Sequence, residues 1–155
     1  MSIISSFTGR YSALDFAFGT QGSTSSPPAL QVVSGNSATG AQTITVSTSI
    51  DPTQGGQPVP ILTVGSSIIV GAAANAETVT ITALGTASLS GFSPVTGSVT
   101  ITATFSNTHG PQEPVTSATF GLQEAINYAV LNGGGEVAIT PAWYKAGGTA
   151  TIIGL

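Results

Sequence analysis

Between Ala29 and Thr104 the apolar residues recur at every second position, and this alternation limits the fold more than any other property of the chain. In "TITVS", Ile44 and Val46 share one side and threonines the other. "ETVTITAL" repeats the pattern with Val79, Ile81 and Ala83, and "SVTITATF" with Val99, Ile101, Ala103 and Phe105. Side chains of a strand alternate across the sheet, so these segments are half-buried antiparallel strands. "QVVSG" and "SSIIVG" are shorter apolar runs bounded by glycine, as at a corner or bulge. Breakers such as "SGNSATG", "DPTQGGQPVP" and "LSGFSP" separate five or six strands at the spacing of a small antiparallel β-sandwich or barrel. Residues 29–117 are assigned to this mainly β domain.

At Phe120 the period changes. Leu122, Ala125, Ile126, Ala129 and Val130 fall on one face of a short amphipathic helix, with Gln123, Glu124 and Asn127 expected to face water. Thr119 is the expected N-cap, and Asn132 with the following glycines the left-handed stop. "EVAIT" and "TATIIGL" then read as a β hairpin around "PAWYKAGG". Residues 118–155 therefore form a helix plus short strands, packed on the β domain or on a neighbouring subunit through Leu122, Ile126, Ala129 and Val130.

Residues 1–28 read as an arm and linker. Phe7, Tyr11, Phe16 and Phe18 concentrate large apolar surface ahead of "GTQGSTSSPP", a Gly/Ser/Thr/Pro linker. Such a segment needs a surface to cover it, either its own core or, as assembly contacts, a neighbouring subunit.

Only 5% of the 155 residues are charged, against roughly 25% in an ordinary soluble domain. Arg10 and Lys145 are the cations and the formal charge is -4, so there is no basic patch to follow a phosphate backbone and no nucleic-acid partner is expected. The absence of cysteine removes disulfides and thiolate metal sites. No apolar run approaches the ~20 residues of a membrane span, and the opening residues lack the charged and apolar regions of a secretory signal.

Two stretches resemble known sequences. The run from "GAQTITVS" through "LTVGSSIIVG", "NAETVTITAL" and "VTITATFSNTHGPQEPV" resembles a small β module of tailed-bacteriophage virion proteins, capsid or tail surface. Val64 to Ile68 match its "VG--I" segment, Glu77 to Val79 its "E-V" step, and His109, Gly110 and Val115 its final turn; Ser66 stands where that pattern usually has aspartate. "GLQEAINYAVLNGGGEVAIT" is similar to the N-terminal cap of pectate-lyase-like right-handed β-helix proteins, in which a helix precedes the first rung. That second resemblance covers the cap and about one rung, and implies no lyase or hydrolase activity.

Chemistry-bearing residues are sparse. His109, the single histidine, lies in the turn "SNTHGPQEP", where it either bonds its own loop or serves surface recognition. A metal site on it would need Asp15, Asp51, Glu77 or Glu113 from separate segments, and none has a familiar ligand spacing. No nucleophile elbow or phosphate-binding loop is present, so no catalytic residue and no cofactor is assigned. Trp143 and Tyr144 are the other candidates for surface recognition, Trp143 also being suited to plugging the gap between helix and sheet.

A nearly uncharged β chain has strand edges that little protects, which suits a subunit whose edges an assembly covers. With the first resemblance, this leads us to expect a non-enzymatic virion structural protein. Its expected role is to decorate or cement the capsid as a homo-oligomer, a trimer, against the major capsid or another virion protein. A receptor- or glycan-binding module of a tail fibre, a filament subunit and the remnant of a β-helix enzyme are the alternatives.

Overall fold

The structure, a computed structural model, describes residues 9–19, 29–50, 62–86, 88–90, 95–131 and 133–139. In chain order these give β1 (Arg10–Ser12), a 3-10 turn (Ala13–Phe16), β2 (Leu30–Ser34), β3 (Gly40–Ile50) and β4 (Ser67–Val70). A second 3-10 turn (Ala73–Asn75) leads to β5 (Glu77–Thr80), β6 (Ala83–Leu84), β7 (Ser88–Ser90), β8 (Val95–Phe105) and β9 (Pro114–Ser117). The helix α1 (Leu122–Leu131) and β10 (Glu136–Ala138) follow.

The alternating segments form the strands they predict. β3 and β8 run antiparallel over their full length, from Gly40 opposite Phe105 to Ile50 opposite Val95. Ile44, Val46, Val99, Ile101, Ala103 and Phe105 point into the core from this ribbon. The main sheet has the order β5-β4-β9-β2-β3-β8-β6, with β7 paired to β8. Its two ends are consecutive in the chain, and this closes the sheet into a barrel. β5 pairs with β4; the chain bends at Ile81 and Thr82, the Thr82 N–H bonds the Thr102 carbonyl at 2.8 Å, and the same run continues as β6 on β8. "ETVTITAL", expected as one strand, is thus two, because each half serves a different neighbour. β2 lies between β9, which pairs with Leu30 and Gln31, and β3, which pairs with Val32 and Ser34 with a register shift between those two residues.

Phe18, fully buried, joins Leu30, Val32, Ile44, Ile68, Val79, Phe105 and Val115 in the barrel core. A second cluster forms beneath the helix from Ala13, Phe16, Leu122 and Ala125, with Tyr11, Ile126, Tyr128 and Val137 packed on it. Tyr11 meets Tyr128 edge to face at 5.0 Å between ring centroids, and Phe16 lies 5.3 Å from the same ring. Three of the four aromatics weighed as assembly contacts are therefore placed on this chain's own two cores; Phe7 lies outside the described residues. The strand expected at "EVAIT" is β10, but its partner is β1, in parallel. The other strand of the expected hairpin lies outside the described residues.

The helix differs from its expected orientation in two respects. Leu122, Ala125 and Ala129 are buried and Ile126 is half-buried, but Val130 is 66% exposed. Gln123 and Glu124, expected in water, are buried. The reason is what the helix rests on: a narrow 3-10 turn accepts a narrow stripe, while the Thr119 hydroxyl bonds the Glu124 carboxyl at 2.7 Å and the Gln123 amide bonds Asn127 Oδ1 at 3.0 Å. The Thr119 hydroxyl accepts the Gln123 N–H at 3.3 Å, and Ser117 Oγ accepts the N–H of Gly121 at 3.0 Å, so capping comes from the end of β9. At the other end the Gly134 N–H bonds the Ala129 carbonyl and the Gly133 N–H that of Val130, a Schellman stop with Gly133 at φ +83°.

Candidate functional site

Three loops meet at the end of the barrel away from α1: residues 35–39 between β2 and β3, 71–76 between β4 and β5, and 106–113 between β8 and β9. His109 lies at their junction. It is 2% exposed, so the expected surface-recognition role is corrected: the ring is inside the loop cluster, 5.7 Å from the Phe105 ring. It does not bond its own loop backbone through the ring either. Nε2 lies 2.8 Å from Glu77 Oε1 at the start of β5, and Nδ1 lies 2.6 Å from Glu113 Oε2, four residues along the loop.

Each carboxylate is further engaged. Glu77 accepts the backbone N–H groups of Ser106 and Asn107, both at 2.8 Å. Glu113 accepts the Gly110 N–H at 3.2 Å and the Asn75 side-chain amide at 3.2 Å. Burial raises the cost of charge on both, yet these donors and the His109 ring outweigh it and hold both carboxyls below the usual glutamate range. Each ring nitrogen thus faces one carboxylate oxygen at hydrogen-bonding distance.

Backbone contacts complete the assembly. Asn36 accepts the His109 N–H at 2.9 Å and donates to the carbonyls of Ala38 and Asn107. A side chain at Gly35 would collide with the His109 carbonyl, so glycine is required for the β2–β3 loop to approach so closely. Both His109 ring nitrogens are taken up by carboxylates, and among the described residues no three acidic, histidine or cysteine side chains are placed to hold a metal.

A second polar group lies at the helix end. Glu124, fully buried, accepts the Thr119 hydroxyl at 2.7 Å through Oε2, and Oε1 has no hydrogen-bond partner. Burial pushes this carboxyl above its usual range, against the hydrogen bonds that favour its charged form. Beside it, the Asn127 amide donates to Thr63 Oγ1 at 2.7 Å and Ser66 Oγ at 3.3 Å, tying α1 to the turn before β4.

Two positions that carry the first resemblance, Glu77 and His109, are thus joined in space. Ser66, standing where that pattern has aspartate, accepts the Thr63 N–H at 3.3 Å, a role a carboxylate oxygen would also fill. Apart from the place of Glu77 in that resemblance, the sequence offers Glu77 and Glu113 as partners of His109 only in a metal site built from separate segments. The i, i+4 spacing of His109 and Glu113 was the available signal, whereas Asn36 and Asn75 had none. Trp143 and Tyr144 lie outside the described residues. Compared with known proteins, the chain matches no family model, no curated protein and no solved structure.

Proposed function

We propose that this chain is a non-enzymatic structural subunit of a bacteriophage virion, decorating the particle surface as a homo-oligomer, with a trimer as the leading state. The observation that carries the reading is the β3–β8 ribbon. Neither 11-residue strand contains a charged residue. Among the described side chains, Thr43, Thr45, Ser47, Ser98, Thr100, Thr102 and Thr104, together with Ala41, alternate with the buried residues, and Thr43 and Thr102 are hydrogen-bonded across the ladder at 2.8 Å. Beyond Ser47 no described strand covers the outer edge of β3.

Monomeric β proteins blunt such edges with charge, proline or a covering element. An uncharged ribbon whose edge no described strand covers beyond Ser47 fits a subunit whose neighbours cover it. The resemblance of residues 40–115 to virion β modules points the same way. The buried polar cluster around His109 closes the barrel end instead of presenting reactive groups, consistent with a structural role.

Native mass spectrometry and sedimentation velocity of the full chain test the assembly, with three chains per particle expected across the micromolar range. A monomer at every concentration would overturn it. Cryo-electron microscopy of purified particles from the cells that express the chain tests the location, with density on the outer capsid surface expected.

A further inference from the structure

The His109 cluster joins three loops that otherwise belong to different parts of the sequence. Asn36 brings in the β2–β3 loop, Asn75 the β4–β5 connection through Glu113 and the Thr108 carbonyl, and Glu77 fastens the β8–β9 loop by its backbone. We propose that Glu77, His109 and Glu113 form a proton-operated latch, which on acidification releases these three loops while the helix-bearing end of the barrel stays seated.

The charged groups facing the latch are its own members. β5 contributes Glu77 and the β8–β9 loop contributes His109 and Glu113. The β2–β3 loop and the 3-10 turn contribute the uncharged Asn36 and Asn75, and β8 the Phe105 ring. The remaining described charges are Arg10, Asp15, Glu124 and Glu136, which lie on β1, the first 3-10 turn, α1 and β10.

Acid acts on this geometry directly. A proton added to either carboxylate places a donor where other donors already point, the Ser106 and Asn107 N–H groups at 2.8 Å on Glu77 and the Gly110 N–H and Asn75 amide at 3.2 Å on Glu113, so these groups lose acceptors and the carboxyl must turn away. With both protonated, the cluster loses two negative charges. Because both carboxyls sit below the ordinary glutamate range when folded, their stabilisation is complete above that range and is lost as pH falls through the folded values. Glu124 has the opposite sense: its carboxyl is held high, so acid suits the helix end. Protons therefore separate the two ends of one barrel.

Amide hydrogen exchange of the full chain, measured at neutral pH and below the glutamate range and normalised for intrinsic exchange, tests the latch. Protection at residues 71–77 and 106–113 should fall by about tenfold more than in 122–131, the effect of one unit of pKa difference. Equal loss at both ends, or loops that keep their protection in acid, would overturn it. Glu113→Gln supplies the second reading, since its partly exposed side chain allows the variant to fold. It should shrink the acid-induced difference between loops and helix, while Glu136→Gln leaves that difference unchanged. A Glu113→Gln variant with the full wild-type difference would also overturn the latch.

Discussion

Glu124 shows how one side chain can oppose its own helix. At the third residue of α1 its charge suits the positive end of the helix dipole, and the Thr119 hydroxyl bonds one of its oxygens. The other oxygen is buried without a partner, and burial dominates, holding the acid in its neutral form to higher pH than usual. The folded chain then binds more protons at this site than the unfolded chain, so stability falls as pH rises from the ordinary glutamate range through the folded value. Glu124→Gln keeps an acceptor for Thr119 and removes the charge. Thermal melts of the variant and the parent should coincide most closely below the glutamate range and diverge in favour of the variant toward pH 8. A variant less stable at pH 8 would show that the carboxylate is better solvated than its burial indicates.

At the scale of elements, α1 separates residues that a helical wheel groups together. Leu122 and Val130 both belong to the predicted face, but only Leu122 is covered, by the first 3-10 turn and its neighbours. Leu122→Ala should cost about 2–5 kcal/mol in chemical denaturation, the usual range for a buried leucine. Val130→Ala should stay within about 0.5 kcal/mol, as an exposed position does. Equal costs would mean that the helix is rotated from the orientation described. The contrast also marks what could be read in advance. β3, β5 and β8 were legible because alternation is written residue by residue, and the glycine stop after α1 because a positive φ demands it. The bend at Ile81 and Thr82 was not, since it exists only because β4 and β8 approach the same run from two sides. Burial of Glu124 is accompanied by the Thr119 hydroxyl and that of Gln123 by the Asn127 side chain, polar partners that hydrophobic periodicity does not register. His109 met Glu77 across 32 residues, a distance no local pattern spans.

For the whole molecule, the aromatic segment decides whether there is one cooperative unit. Its residues enter both cores: Phe18 is fully buried in the barrel, and its carbonyl accepts the Ser117 N–H at 3.0 Å, while Phe16 lies beneath the helix against Tyr128. β1 adds a parallel ladder to β10 and the exposed Arg10–Glu136 pair, which contributes little at that exposure. Burying each phenylalanine stabilises the fold by about 1.5–3 kcal/mol, against a total of roughly 5–15 for a domain of ordinary stability. Deleting residues 1–19 removes both phenylalanines, the partner of β10 and the floor under α1 at once. The shortened chain should lose its near-ultraviolet circular dichroism and its cooperative melt. Single substitutions divide the effect by location. Phe18→Ala should lower the melting of barrel and helix together, whereas Phe16→Ala should first weaken hydrogen-exchange protection in 122–131 and leave 99–105 protected. A deletion variant that keeps its fold and its melt would mean the barrel closes without the segment, and the aromatics would then be free to dock on a neighbouring subunit.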